Sequence, residues 1–304
     1  MKLGIQLPHG GDIASRETIA AAATHAEQIG LDSVWVWDRL LRTTRPIPFR
    51  GRPPGPMPRV YATVFDPLET LTYAAAMTKR VQLGTSTILA LFHSPVVLAR
   101  RLATLDQLSG GRVIAGFGLG WLEEEFTASG IPMARRGRRM TEFVGAVRAV
   151  WGADPVSFQG EFYSIPESDI GPKPVQSGGI PILLAAQSDG ALKRAARIGD
   201  GVNPFATMDF KRLQRDVALF RRTAQEAGRD GTLLPVVLRA NAQLTDTRLP
   251  ADGRLLFAGT VDQWRDDLER IRDIGVTHVI FGSDVPPPLD VQLRVLAELR
   301  QHLR

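Results

Sequence analysis

Leu102-Ala-Thr-Leu-Asp-Gln-Leu-Ser-Gly-Gly-Arg-Val-Ile-Ala-Gly-Phe-Gly-Leu-Gly-Trp-Leu-Glu-Glu-Glu-Phe126 reads as helix, turn, strand, loop and helix. Leu102, Leu105 and Leu108 are spaced to share a helical face. Gly110 and Gly111 supply the positive backbone angle that ends a helix, and Arg112 to Gly120 then alternate as a strand does. The alternation has two unlike sides. Val113, Ala115, Phe117 and Leu119 make a bulky face, whereas Ile114, Gly116, Gly118 and Gly120 make one that shrinks to nothing toward the carboxyl end. A buried strand that loses its side chains on one face lets a backbone or a ligand come close. Two readings follow: a glycine-rich strand end packed on a neighbour, or a seat for a flat ring.

Outward from this stretch, strands and helices alternate along the whole chain, which predicts a mainly parallel sheet with crossover helices. Strands are expected at Lys2 to Leu7, Ser33 to Trp37, Val81 to Leu89, Arg112 to Gly120, Ile180 to Ala186, Gly201 to Phe205, Pro235 to Leu244 and Thr277 to Phe281. Helices follow each of them, one opening at Pro95 with Ser94 as its N-cap. Eight such units predict a TIM (β/α)8 barrel, a single domain over residues 1–304. Its two insertions are a long loop from Arg39 to Phe65 and a hairpin around Gln159-Gly160. The doubly wound alternative would place a dinucleotide on Gly116-x-Gly118-x-Gly120. That motif needs a later third glycine, an immediate helix and an acid about 20 residues on, and none is present.

Composition limits the chemistry. The chain has 304 residues, 44% of them hydrophobic, and no cysteine, so a disulfide, a thiolate metal site and a cysteine nucleophile are excluded. No apolar run approaches the ~20 residues of a membrane span, and Met1 to Pro8 reads as a first strand, so a cytoplasmic protein is expected. The net charge of +5 rests on arginine, since Lys2, Lys79, Lys173, Lys193 and Lys211 are the only lysines. Such a balance favours an anionic partner. With no nucleic-acid motif and most arginines single on helix faces, a polyanionic small molecule fits better than nucleic acid.

In a TIM barrel the functional groups stand at the carboxyl ends of strands. Those ends hold His9, Asp38, Arg39, Thr87, Leu89, Gly120, Trp121, Gln187, Ser188, Asn203 and Arg239. The set has no His and carboxylate cluster for a metal and no lysine for a Schiff base. His9 reads as an ordinary loop residue, and His25, His278 and His302 as structural. Ser188 can cap a helix whose free amides near Gly190 suit a phosphate. Glu123, Glu124 and Glu125 open the helix after Gly120, where carboxylates favour the positive helix end. The loop carries Arg42, Arg45, Arg50, Arg52 and Arg59 among six prolines and is expected to be a lid or a tether.

Leu83-Gly-Thr-Ser86, Ser94-Pro-Val-Val-Leu-Ala99, Ala103-Thr-Leu-Asp-Gln-Leu-Ser-Gly-Gly-Arg112, Gly116-x-Gly-x-Gly-Trp-Leu-x-Glu-Glu125, Arg136-Gly-Arg-Arg139 and Gly199-Asp-Gly201 resemble the luciferase-like monooxygenase superfamily. In particular they resemble its deazaflavin-dependent (coenzyme F-420) branch. The resemblance implies a barrel that binds a flavin or deazaflavin. Asp38 would then contact the ring-bearing end, Leu89 would back the ring, and Leu119, Gly120 and Glu124 would line it. Gln187, Ser188, Gly190 and Ala191 would hold the phosphate. Arg39 stands where the sugar-phosphate dehydrogenase branch has a catalytic histidine, and Trp121 where it has a glutamate, which argues against that substrate. Both become candidate catalytic residues. Arg39 cannot give up a proton but can hold an anionic substrate or charge developing on a carbonyl, and Trp121 can wall the pocket.

The expected activity is hydride transfer between F-420 and a small organic substrate. The alternatives are an FMN-dependent monooxygenase fed by a separate reductase, and a catalytically silent flavin-binding barrel. F-420 carries, beyond its phosphate, a lactyl and glutamate chain with several more carboxylates, to which arginine is suited. The resemblance also implies a homodimer.

Overall fold

The computed structural model describes residues 1–49, 52–206, 210–283 and 287–303. Its main elements form eight strand–helix units. They are β1 (Lys2–Gln6) with α1 (Arg16–Gln28), β2 (Ser33–Val36) with α2 (Pro67–Met77), and β3 (Gln82–Thr85) with α3 (Pro95–Ser109). Next come β4 (Val113–Phe117) with α4 (Glu123–Ala128) and α5 (Arg136–Trp151), then β5 (Ile182–Ala185) with α6 (Asp189–Ile198). The series ends with β6 (Gly201–Asn203) and α7 (Phe210–Glu226), β7 (Val237–Asn241) and α8 (Val261–Asp273), and β8 (His278–Gly282) and α9 (Leu289–His302).

The hydrogen-bonded order is β6, β5, β4, β3, β2, β1, β8, β7. After Pro204, β6 continues as Phe205–Ala206, which pairs in parallel with Arg239 and Ala240 of β7. Every strand thus neighbours its successor in sequence, with β1 beside β8, and the fold is the TIM (β/α)8 barrel. Two hairpins are added, Ile47–Phe49 with Arg52–Gly55 and Val156–Gln159 with Ser164–Ser168. Contacts group the residues into two compact units, one of 1–8, 15–35 and 183–304, the other of 9–14 and 36–182.

In the first unit the core runs through Leu3, Ile5, Trp35, Phe220, Leu238, Phe257, Trp264 and Phe281. Trp264 stacks on Phe281 at 5.4 Å. Buried among them, the Trp35 indole N–H donates to Ser33 Oγ at 2.6 Å, and Ser33 Oγ lies 2.7 Å from His278 Nε2. Burial pushes the His278 pKa down to about 3, so the ring is neutral beside Ser33. Its structural role is as expected.

In the second unit the opening stretch resolves in favour of packing. A Cβ on Gly116 would overlap the Thr85 carbonyl oxygen, and one on Gly118 would overlap Thr87 Oγ1. At Gly116 and Gly118 the glycine face is therefore filled by Thr85, which ends β3, and by Thr87 just beyond it, the first of the two readings. Strands β3 and β4 also end earlier than alternation implied. Beyond them the pairing is reduced to a single Ile88–Phe117 bridge, in which the Gly118 N–H donates to the Ile88 carbonyl, and Gly120 turns with φ +74°. Of the leucine face of α3, Leu102 and Leu105 are buried but Leu108 is 66% exposed. Phe117 is core, edge-on to Phe143.

Ser94 precedes α3 without a side-chain cap bond; Pro95 sets the entry by its fixed φ. The motif after α3 is a clamp. Asp106, fully buried, accepts from Val175 N, Gln176 N and Gln176 Nε2. Arg112 donates to Ser109 O, Thr78 Oγ1, Val81 O, Ala75 O and Thr78 O, tying the end of α2 to the start of β4.

The Arg39 to Phe65 segment is not a tether. Trp37, Ile47, Met57, Tyr61 and Leu122 form a buried cluster with Leu41, Val60 and Val64 packed on it. Its apolar residues are too irregularly spaced to show a period, which is why the sequence reads as loop.

Candidate functional site

Two groups of expected site residues are built, one in each unit. In the second unit, Asp38 follows β2, with its N–H donating to the Thr87 carbonyl at 3.0 Å. Its Oδ2 accepts from the Leu89 N–H at 2.9 Å. Leu89 is buried, so this bond fixes the carboxyl against the segment after β3. Burial raises the Asp38 pKa, opposed by the Leu89 N–H and by His93. His93, half-buried, is pushed down by burial and opposed by Asp38. Asp38 and Leu89 are thus together, and His93 is a group that sequence reading missed. Its signal was its place between a strand end and the Ser94-Pro95 helix start.

Arg39 points elsewhere than expected. Its Nη1 donates to Glu125 Oε2 at 2.7 Å, with side chains 8% and 0% exposed. Glu125 Oε1 accepts from the Leu40 N–H at 2.8 Å. Burial raises the Glu125 pKa, with the Arg39 charge and the Leu40 N–H acting against it. The guanidinium lies 5.0 Å from the Trp121 ring and 5.3 Å from the Tyr61 ring. Its Nε is buried without a partner among the described residues. Since Glu125 already neutralises Arg39, the pair offers a donor but no net positive charge.

Glu124, expected to line the ring, holds the inserted loop through one carboxylate oxygen, while its Oε2 is buried without a partner among the described residues. Its Oε1 accepts from Arg45 Nη2 at 2.7 Å, Arg45 Nε at 2.9 Å and Thr43 Oγ1 at 3.3 Å, and Arg45 lowers its pKa. Arg42 donates to the Met57 and Pro58 carbonyls. Two of the five loop arginines are therefore used within the fold. Arg50 lies outside the described residues. Leu119 and Gly120 are half-buried, and a Cβ on Gly120 would press on Phe92 and Phe126. Trp121 is 40% exposed.

In the first unit, Ser188 caps α6 by accepting from the Ala191 N–H at 3.4 Å. Gln187, Ser188 and Gly190 are exposed and Ala191 is buried. Space around Gly190 is open: a Cβ there would meet nothing within 4 Å. Asp189 is neutralised by Arg215, whose Nη2 reaches both carboxylate oxygens at 2.7 and 2.6 Å. Arg212 donates to the Gln187 carbonyl at 3.0 Å. An exposed helix start with free amides, a cleared approach and a cancelled carboxylate suits an anion.

Other strand-end residues are structural. His9 is fully buried and donates from Nε2 to the Trp37 carbonyl at 2.8 Å. Asn203 donates to the Val237 carbonyl, and Arg239 donates to Gln6 Oε1 at 3.0 Å. Asn241, ending β7, has both amide atoms buried without partners among the described residues. Nothing in its sequence surroundings marks it. Among the described residues no group of three or more His, Cys, Asp and Glu side chains could hold a metal ion. Nor is any helix among them long and apolar enough to cross a membrane.

The chain is similar to several known proteins. An uncharacterised protein of Mycobacterium tuberculosis is 33% identical over 270 residues, covering 87% of this chain and 86% of that one. An F-420-dependent glucose-6-phosphate dehydrogenase of Amycolatopsis mediterranei is 37% identical over 183 residues, 59% of this chain and half the length of that enzyme. The crystal structure of a monooxygenase of Streptomyces bottropensis superposes over the full length of both chains with a TM-score of 0.79 at 25% identity. Residues 1–274 match the luciferase-like monooxygenase family, to which the chain belongs.

Proposed function

We propose that the protein is an oxidoreductase moving a hydride between coenzyme F-420 and a small organic substrate. The observation that carries this reading is the α6 start, where open space at Gly190, the Ser188 cap and the Arg215-neutralised Asp189 fit a cofactor phosphate. Asp38 supports it at the ring end. One carboxyl oxygen is held by Leu89, and the other is left for a ring edge. The relative from Amycolatopsis uses F-420, as its name states.

When bound, F-420 supplies a two-electron hydride carrier, and the protein binds, orients and excludes water. In this account Ser188 and the amides of Asp189 and Gly190 hold the phosphate, with Gln187 and Ala191 beside it. Leu119, Gly120 and the buried Leu89 shape the apolar wall. Arg39, fixed by Glu125 and two aromatic rings, presents Nε as a donor to negative charge on a carbonyl oxygen. Trp121 closes that side. The proton that a carbonyl reduction also needs does not come from Arg39, which stays charged.

Ser188→Ala tests the phosphate seat. It should weaken F-420 binding by roughly 1 to 2 kcal/mol, while the phosphate-free ring with its ribityl chain binds both proteins equally. Gly190→Pro should do worse. Unchanged F-420 affinity in both folded variants removes the seat from α6. The monooxygenase of Streptomyces bottropensis favours a second reading, turnover of reduced FMN with oxygen. Oxygen consumption with reduced FMN, absent with reduced F-420, would promote it, and no turnover with either would leave a silent barrel. A cytoplasmic, homodimeric enzyme without nucleic-acid partners remains the expectation.

A further inference from the structure

Beside the α6 start, within the same unit, lies a cavity of about 790 Å³ that none of the roles above uses. This is within the 300–1,000 Å³ range of ligand clefts. Gln187 lines it at one side, and Lys211, Arg212, Arg254 and Arg270 bring four cations against the carboxylates of Asp252 and Asp267. Asp267 is spent. Fully buried, it accepts from Arg254 Nη1 and Nη2, both at 2.7 Å, and from the Phe257 N–H at 2.8 Å. That pair fixes the 251–257 wall and leaves a surplus of positive charge facing the cavity.

Arg270 is half exposed, held over the Phe210 ring at 4.2 Å, and only loosely near Asp267 at 3.8 Å. Lys211 is exposed and has no ion pair among the described residues. Arg212 donates to the Gln187 carbonyl, so the cavity begins at the residue preceding the phosphate cap. An isolated phosphate does not need such a surface. A flexible chain of carboxylates does, because each unit can find one of several spaced cations.

We propose that this cavity receives the glutamate tail that continues beyond the phosphate of F-420, with Lys211 and Arg270 as its principal contacts. The proposal rests on the F-420 reading and assigns the tail a place. The phosphate at Ser188 anchors one end, and the tail's carboxylates are then held at high local concentration beside the cations. Exposed pairs of this kind contribute modestly, ~0.2–1 kcal/mol each. The expected signature is therefore a graded, salt-sensitive affinity gain.

The test is fluorescence titration of the wild-type chain and of a Lys211→Gln/Arg270→Gln variant at low and at physiological salt. Three probes are used: F-420 with a tail of several glutamates, the form that ends at the lactyl group, and a free γ-linked glutamate peptide as competitor. The wild type should bind the long-tailed form about three- to ten-fold more tightly than the tail-less form at low salt, with less advantage as salt is added. The variant should lose that advantage and keep its affinity for the tail-less form. Equal affinity for both forms in the wild type overturns the proposal and leaves the F-420 reading standing. An advantage that persists in the variant overturns the location. Displacement of the tail-less form by the free peptide also overturns it, since the cavity would then serve an independent polycarboxylate that excludes the cofactor. If neither F-420 form binds, the F-420 reading itself fails and the proposal falls with it.

Discussion

Glu125→Gln should be the most costly conservative change in the second unit. The carboxylate is fully buried and accepts from Arg39 Nη1 and from the Leu40 N–H, and Arg39 is itself only 8% exposed. Glutamine keeps a carbonyl oxygen for Leu40 but removes the counter-charge, and arginine cannot respond by losing its proton. An uncompensated buried charge costs about 3–5 kcal/mol. The Trp121 and Tyr61 rings keep some hold on the guanidinium, ~0.5–2 kcal/mol by cation–π attraction, so the low end, about 3 kcal/mol, is expected. Removing both charges in Arg39→Met/Glu125→Gln should recover half or more of the loss, giving a large coupling in a double-mutant cycle. Equilibrium denaturation of the wild type, both single variants and the double variant measures all four corners. A loss under about 1 kcal/mol for Glu125→Gln, or a double variant as unstable as the sum of the singles, would refute a structural role for the buried pair.

Further outcomes follow from the packing. Gly116→Ala should prevent soluble folding, because its Cβ overlaps the Thr85 carbonyl, whereas Gly190→Ala should fold normally in its open space; expression and circular dichroism decide. His278, with a pKa near 3 in the fold against about 6.5 unfolded, stays neutral where the unfolded chain takes up a proton. Its contribution is therefore full above pH 6.5 and falls by roughly 3 kcal/mol on going down to pH 4, at ~1.4 kcal/mol per unit. His278→Gln should flatten the acid side of the stability curve by that amount; an unchanged slope would mean that His278 is charged in the fold.

The barrel was legible because each unit writes its own period: alternation in the strand, three- and four-residue spacing in the helix, glycine or proline between. The site was less so. Three consecutive glutamates precede Phe126, and only the rotation of the six-residue α4 decides that Glu125 is buried while Glu124 meets Arg45. Gly116 and Gly118 have the same spacing whether they admit a ring or a neighbouring strand. The deciding partner, Thr85, lies 31 positions away and is visible only when the strands pair. Asp106 and Arg112, among the residues that carry the family resemblance most clearly, are fold clamps. Resemblance identified the barrel through residues that hold it together. His93 and Asn241 matter for where the chain places them, which no local pattern records.

Affinity for F-420 measured against affinity for FMN tests the central claim most directly. Both carry a flat ring and a phosphate, so the remainder of each molecule decides. Fluorescence-quenching titrations of the purified protein with each cofactor, in one low-salt buffer, should show F-420 bound at least ten-fold more tightly, a difference of about 1.4 kcal/mol. FMN bound equally or more tightly would contradict the account.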